Sequence, residues 1–335
     1  VTIQYRSILV ALLATALAAG CASPQTTGDD ELETESAEEI SESEHDLDDA
    51  VDDDEYDDEY DDEYDDEYDD EAKDAETLLR EAADGEHRSE ENIARNQHRN
   101  PVETLTFFGV EPELDVVEVW PGGGWYTEVL APVVSQDGSL TAGIFEIDED
   151  DPEDYRTRIT TSYLDFLDDQ REILGDVQTG TFAPVEVIEL GEPESVQMVL
   201  TFRNLHNMYG SDVLEDALEA FYDVLEPGGV LGVVQHRAPE GADPDETADD
   251  GYLAEDFVIE EVEAAGFVLD EASEINANPD DTADYEEGVW TLPPTLRGGA
   301  EEAQHYEDIG ESDRMTLRFV KPEDGGDGES SESDQ

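Results

Sequence analysis

A chain of 335 residues holds one domain of ordinary size plus tails. Its 95 acidic and 15 basic side chains give a formal net charge of −80, with lysine only at Lys73 and Lys321. That balance excludes a nucleic-acid partner, because phosphate binding needs a basic surface, and it points to a protein that works in salt concentrated enough to screen self-repulsion. The single cysteine excludes an intramolecular disulfide framework.

At the start of the chain Arg6 precedes the apolar run Ile8 to Ala19, followed by Gly20-Cys21. The run is too short to span a bilayer and reads as a signal peptide over residues 1–20. Small residues Ala18-Ala19-Gly20 before the only cysteine resemble a bacterial lipoprotein signal, with Leu17 one place early. The resemblance implies a lipid on Cys21 and an exported protein held on a membrane, facing the periplasm or the cell exterior. A plain secretory signal with a spare cysteine is the alternative. Residues 21–72 show no apolar periodicity and carry Asp-Asp-Glu-Tyr units ending at Tyr56, Tyr60, Tyr64 and Tyr68. A run of like charges cannot collapse, so this segment and residues 323–335 are predicted to be disordered acidic arms. Weak binding of divalent cations is the other reading of the repeat.

Residues 73–322 have the texture of a folded domain. Helices are predicted over Ala75 to Ala83 and Pro101 to Phe108, the second with proline suited to a first helical turn. The stretch Val116-Val117-Glu118-Val119-Trp120-Pro121-Gly122-Gly123-Gly124-Trp125-Tyr126-Thr127 reads as a buried strand, a glycine turn and a helix start. Such a turn admits close backbone approach, and N–H groups at the helix start face whatever binds there. Glu118 at the strand end would meet a cationic or hydroxyl-bearing ligand. A helix follows to Val134, then a strand over Ser139 to Phe145 and a helix over Pro152 to Asp169. Val185 to Leu190, Val196 to Phe202 and Val230 to Gln235 are short apolar strands. Between the last two lies an amphipathic helix, Asp212 to Leu225, closed by Pro227-Gly228-Gly229. Leu253 to Ala265 is a helix, and Phe267 to Ile275 and Met315 to Val320 are late strands, joined by the irregular stretch Asn276 to Asp313. Alternating strands and helices imply an α/β fold, a doubly wound, mostly parallel sheet of seven strands with an antiparallel edge.

The glycine-turn strand, an acidic second strand end and the Leu225-Glu226-Pro227-Gly228-Gly229 turn before a buried strand resemble class I S-adenosylmethionine-dependent methyltransferases. The chain resembles more closely a bacterial family of predicted methyltransferases with a Glu-x-Trp-Pro-Gly-Gly-Gly-Trp-Tyr-Thr segment. Its matching segments are Arg99 to Leu105 with Phe107-Phe108-Gly109, Glu118 to Glu128, Thr201 to Asn207 and His236-Arg237-Ala238. Asn278 to Asp281 and Asp313 to Pro322 also fit, so the resemblance covers Ala94 to Pro322. It implies S-adenosylmethionine as cofactor, with Glu118 opening the cofactor loop and Gly122, Gly123 and Gly124 letting the backbone approach the methionine portion. Glu146, about 20 residues past the loop, would take the ribose hydroxyls, with Asp148 as rival. Trp120 stands where common methyltransferases have the first glycine, positioned to cover the cofactor or to block it. The usual acidic residue opening the fourth strand is absent, with Gln197 near that place.

Arg203-Asn204-Leu205-His206-Asn207 follows a strand end and would stand beside the sulfonium. His206 is a candidate general base, Asn207 its catalytic neighbour, and Asn204 a candidate hydrogen-bonding group for cofactor or acceptor. The competing reading makes all three caps of a strand end and a helix. His236 and Arg237 lie on the same sheet edge and suit an anionic acceptor or a pairing with local carboxylates. Arg99 suits the site or a structural ion pair. No residues have metal-ligand spacing, and there is no serine nucleophile elbow or phosphate-loop lysine. Two functions stay open: a methyltransferase acting on a small molecule or envelope component, and an exported, non-catalytic ligand-binding protein on the same fold.

Overall fold

The computed structural model describes residues 73–297 and 302–323. The expected signal peptide, Cys21, the Asp-Asp-Glu-Tyr repeats and residues 324–335 lie outside the described residues. In chain order, α1 (Ala75–Ala83), α2 (Glu90–Ala94), α3 (Asn96–Arg99) and α4 (Pro101–Phe108) lead into β1 (Asp115–Val119). There follow α5 (Thr127–Val134), β2 (Ser139–Ile144), α6 (Tyr155–Asp169), α7 (Arg171–Leu174), β3 (Gln178–Ala183), β4 (Val187–Ile188) and β5 (Val196–Phe202). Then come α8 (Leu205–Gly210), α9 (Leu214–Val224), β6 (Leu225–His236), α10 (Pro244–Thr247), α11 (Glu255–Ala264), β7 (Val268–Ser273), α12 (Ala303–Ile309) and β8 (Arg314–Val320). The acid-rich composition is put to use at helix starts. Asp74 accepts from Thr77 N at 2.8 Å and Asp154 from Thr157 N at 3.0 Å, capping α1 and α6. Lys321 does the converse, its Nζ donating to the carbonyls of Tyr222 and Leu225 at the end of α9.

The strands form one eight-stranded sheet in the order β4-β3-β2-β1-β5-β6-β8-β7. β3, β2, β1, β5 and β6 run parallel, and β8 is antiparallel to both β6 and β7. The seven expected strands are present, and β3 is the additional one. Its sequence, Gln-Thr-Gly-Thr-Phe-Ala, has no apolar run; only Gly180 and Phe182 are buried. β3 takes the place beside β2, and the strand expected over Val185 to Leu190 shrinks to β4, folded back antiparallel against β3.

Side chains alternate across the pleat into two cores. Val117, Val119, Val199, Leu231 and Val233 pack with α8, α9 and α11 on one face. Val116, Met198, Leu200, Val230 and Val234 pack with α1, α4 and α5 on the other. Burial on both faces explains the largely apolar sequences of β1, β5 and β6. Because the chain leaves β1 toward β2 on one side and reaches β5 on the other, a crevice opens beyond the carboxyl end of β1, the switch point where doubly wound sheets bind ligands. Among the described residues no helix is long and apolar enough to cross a membrane.

Candidate ligand-binding cleft

A cleft of about 750 Å³ occupies that switch point, within the size range of small-molecule sites. Glu118, Gly122, Gly123, Asn204, His206 and Asn207 all line it, whereas Gly124 and Glu146 do not. The sheet ends supply the floor, α6 one side, and the segment after β7 the other through Trp290, Pro293 and Arg297.

The three glycines of the turn do different work. Gly122 (φ +62) and Gly124 (φ +81) take the left-handed conformation, whereas Gly123 does not. A Cβ on Gly122 or Gly123 would meet nothing within 4 Å, so bare backbone faces open space at both. A Cβ on Gly124 would lie 2.5 Å from the Phe166 ring, so this glycine serves the packing of α6 rather than the cleft. Trp120 also takes a left-handed φ, +47, the conformation that favours glycine, in the position where the common form of the motif has one. Its indole neither caps nor plugs the cleft: Nε1 donates to Phe182 O at 3.0 Å, and the ring stacks on Phe145 at 4.6 Å, forming part of the wall.

Glu118 is 1% exposed. It accepts a 2.6 Å hydrogen bond from Thr127 Oγ1, which lies 3.1 Å from the Tyr163 hydroxyl. Burial pushes its carboxyl up to about 7, against the opposing pull of the Thr127 hydrogen bond and Arg203. Glu146 is differently placed. Phe145 packs onto Trp120 and lines the cleft, and Glu146 next to it is exposed to solvent outside the lining. Asp148 is exposed too, and its Oδ1 accepts from Asp150 N at 2.9 Å.

At the end of β5, the Asn204 amide donates to Val119 O at 2.9 Å and Trp120 O at 3.3 Å, tying this strand end to the β1 turn. Its donors are committed to the scaffold; Oδ1 is the atom left for a ligand. Asn207 is exposed on the rim. His206 is buried, and burial lowers it to about 4. Gln235 Nε2 lies 3.0 Å from Gly251 O and 3.3 Å from His236 O, which fixes the amide. Its Nε2 and Oε1 lie 3.2 and 3.4 Å from His206 Nδ1, so Nδ1 either accepts from the amide nitrogen, with the ring proton on Nε2, or donates to the amide oxygen, with a lone pair on Nε2. In the first form the neutral ring is a hydrogen-bond donor to a ligand; in the second it is the general base expected from sequence, weakened by burial. His236 is held by Ser312 Oγ at 2.6 Å, and burial, then His206, lowers it well below the usual histidine range.

The structural ion pair read as one possibility for Arg99 is present, but sequence reasoning missed the group of arginines around Glu311 to which it belongs. This carboxylate accepts from Arg95 Nε at 2.7 Å, Arg99 Nε at 2.9 Å and Arg314 at 3.2 Å, with Arg99 and Arg314 almost wholly buried. Burial alone would raise Glu311, but Arg99, Arg314, Arg95 and Arg203 outweigh it and hold the carboxyl well below its ordinary range. Arg88 and Arg99 both lie 4.7 Å from the Trp125 ring centroid. The signal available in the sequence was the scarcity of arginine itself. Arg237 resolves differently from the anionic-acceptor reading: it pairs with Glu255, Glu274 and Asp313, away from the lining.

No protein-family model matches the chain, and no curated protein matches it. Among solved structures it is similar to a SAM-dependent methyltransferase from Aquifex aeolicus, with 13% identity over 73% of this chain and 98% of that one, TM-score 0.46. It is also similar to the [4+2]-cyclase SpnF, with 16% identity, coverage of 74% and 93%, TM-score 0.48. A third is a putative sarcosine dimethylglycine methyltransferase from Galdieria sulphuraria, with 12% identity, coverage of 70% and 86%, TM-score 0.46. These likenesses are partial and of low identity.

Proposed function

We propose that the domain is an S-adenosylmethionine-dependent methyltransferase acting on a small molecule. The observation that carries this is the open backbone of Gly122 and Gly123 at the switch point, facing a cleft of ligand size. A Cβ would intrude on the space there, and that space suits the methionine portion of the cofactor. Glu118 lies at the same strand end, with Asn204 Oδ1 across the turn. When bound, S-adenosylmethionine supplies a methyl group on a positively charged sulfur, which an acceptor displaces in line. The chain's own residues then have three tasks. The glycine turn and Asn204 position the cofactor. Tyr126, stacked on Phe202 at 3.6 Å, and Trp290 shield the acceptor from water. His206 Nε2–H orients the acceptor by donating a hydrogen bond, with the exposed Asn207 beside it. Glu146 and Asp148, on the exposed loop after β2, take at most a peripheral part in holding the ribose.

The experiment uses intrinsic fluorescence, because Trp120, Trp125 and Trp290, the three tryptophans of the chain, all line the cleft. Titration with S-adenosylmethionine or S-adenosylhomocysteine in molar KCl is expected to give a saturable change, matched by calorimetry. Gly123→Val is expected to weaken binding by at least about tenfold while leaving the melting temperature unchanged, since the new side chain enters the cleft and not the scaffold. Absence of binding of either compound at millimolar concentration removes the methyltransferase reading. The second reading, a non-catalytic ligand-binding protein, is favoured by the weakened basicity of buried His206; binding without turnover of any acceptor would select it.

We infer also that the domain is carried outside the cytoplasm on a lipid attached to Cys21, by the residue pattern before that cysteine. More than one acyl chain is needed for stable anchoring, as in bacterial lipoproteins. Cys21→Ser is expected to move the protein from the membrane to the soluble fraction. Identical fractionation of the two forms would contradict the anchor.

A further inference from the structure

The cleft collects positive charge in a protein that has little. Arg95, Arg99, Arg156, Arg203 and Arg297 line it, against the carboxylates Glu118 and Glu311. Elsewhere most of the scarce cations are matched with acids, Arg88 with Glu128, Arg237 with three carboxylates and Arg318 with Asp270, the exposed Arg158 being the exception among the described residues. In the cleft the ratio is reversed. Glu311 alone serves Arg95, Arg99 and Arg314. Arg156, Arg203 and Arg297 are ion-paired to no carboxylate among the described residues. Arg203 Nε is buried without any hydrogen-bond partner. Arg156 and Arg297 lie over the rings of Phe145 and Trp290 at 5.3 and 5.2 Å, contacts that hold a guanidinium in place without neutralising it.

A buried cation without a counter-charge is costly. With 95 acidic residues in the chain, a carboxylate is the commonest partner this sequence has to offer, yet none among the described residues is within ion-pair distance of Arg203; Glu118 and Glu311, in the same lining, act on it only from farther off. We propose that the small-molecule ligand of this cleft is an anion, a carboxylate- or phosphate-bearing compound with an apolar body, whose oxyanion is taken by Arg203 with Arg95 and Arg99 behind it. Only the identification of that ligand as the methyl acceptor rests on the methyltransferase reading. The guanidinium fork matches both oxyanions in two parallel hydrogen bonds. The Tyr126–Phe202 stack and Trp290 provide an apolar surface for the body of the ligand. Repulsion from the acidic surface does not prevent this, because the Debye length at 1 M salt is about 3 Å and short contacts decide.

The test titrates the full chain, at fixed molar KCl, with benzoate, with benzyl alcohol as its uncharged counterpart, and with inorganic phosphate, reading tryptophan fluorescence. Each titration is repeated with S-adenosylhomocysteine at saturation. The expected result is a saturable change with benzoate or phosphate but not with the alcohol, retained when the nucleoside is present. Response to benzoate alone identifies a carboxylate ligand, and response to phosphate alone a phosphate ester. Arg203→Gln should weaken the anion by at least about tenfold, the range of a lost hydrogen bond to a charged group, with Arg203→Lys intermediate. Arg158→Gln, on α6 but outside the lining, should change nothing. If Arg203→Gln does not fold, Arg297→Gln on the exposed rim replaces it. The proposal is overturned by equal responses to benzoate and benzyl alcohol, by no response to either anion, or by unchanged affinity in the arginine variants. Loss of anion binding at saturating S-adenosylhomocysteine also overturns it, since the arginines would then belong to the cofactor's own carboxylate. Anion binding without nucleoside binding would leave this inference standing and remove the methyltransferase reading.

Discussion

Glu311→Gln destabilises the folded domain by about 3–5 kcal/mol at neutral pH, the cost of breaking a buried ion pair from one side. The carboxylate joins α2 and α3 at one end of the domain to the start of β8 at the other, and it is the one acid shared by Arg95, Arg99 and Arg314. Glutamine keeps an acceptor but removes the charge, so two buried guanidinium groups are left with no compensation. The pH dependence has a definite sign. A carboxyl depressed in the folded state contributes stability that is present above its unfolded value, about 4.5, and lost as pH falls below it. Wild type therefore loses stability in acid through this site, and the variant, having no charge to lose there, does not. Denaturant melts at constant molar KCl, at pH 7 and pH 4, measure both effects. Glu76→Gln, which breaks the exposed pair with Arg80, is the control, with an expected effect under about 1 kcal/mol. A loss of that small size for Glu311→Gln would show that the arginine group is not held by this carboxylate.

What sequence made legible was set by locality. β1, β5 and β6 are buried on both faces, so their sequences are largely apolar and easily seen, and the glycine turn is marked by residues adjacent in the chain. β3 escaped because, with only the two-residue β4 beyond it, its place asks only that Gly180 and Phe182 face inward. The short helices α2 and α3 escaped for want of apolar periodicity; their buried residue is Arg99, held by ion pairs rather than by a hydrophobic face. At the cleft, Glu118, Gly122, Gly123, Asn204 and His206 were legible because each sits at a strand end or in the turn. Roles were less legible than positions. Placing an acid after β2 by offset alone could not reveal that Phe145 turns inward and Glu146 outward. The role of His206 depended on Gln235, and the charge of the cleft on Glu311. Both partners are distant in sequence, and no pattern in a single chain announces such pairings.

Glu118→Gln is expected to make the domain more stable at alkaline pH and to leave it unchanged in acid. The carboxyl is raised by burial from 4.5 to about 7, so the folded state resists its ionisation. A carboxyl raised on folding contributes stability that is fully present below the unfolded value and lost as pH rises through the folded one. The window therefore runs from about pH 4.5 to just above 7. Across it the wild type loses roughly 3 kcal/mol at this site, because each tenfold change in an acid's ionisation constant is worth about 1.4 kcal/mol. Glutamine preserves an oxygen for the Thr127 hydroxyl at the same place and never ionises, so it should abolish that loss. His206 and His236 are displaced downward and act with the opposite sign, but they are common to both proteins and cancel in the difference. The measurement is the difference in unfolding free energy between variant and wild type at pH 5 and pH 8, in the same molar KCl. A difference that stays flat between the two would mean that Glu118 is already ionised at pH 5, balanced by Arg203 rather than governed by burial. A rise toward alkaline pH would leave the cleft with a carboxyl poised near neutrality at the strand end that holds the glycine turn. A cationic group bound beside it would then favour its ionisation, and proton release on ligand binding, read in buffers of different ionisation enthalpy, would be greatest below pH 7 and absent in Glu118→Gln.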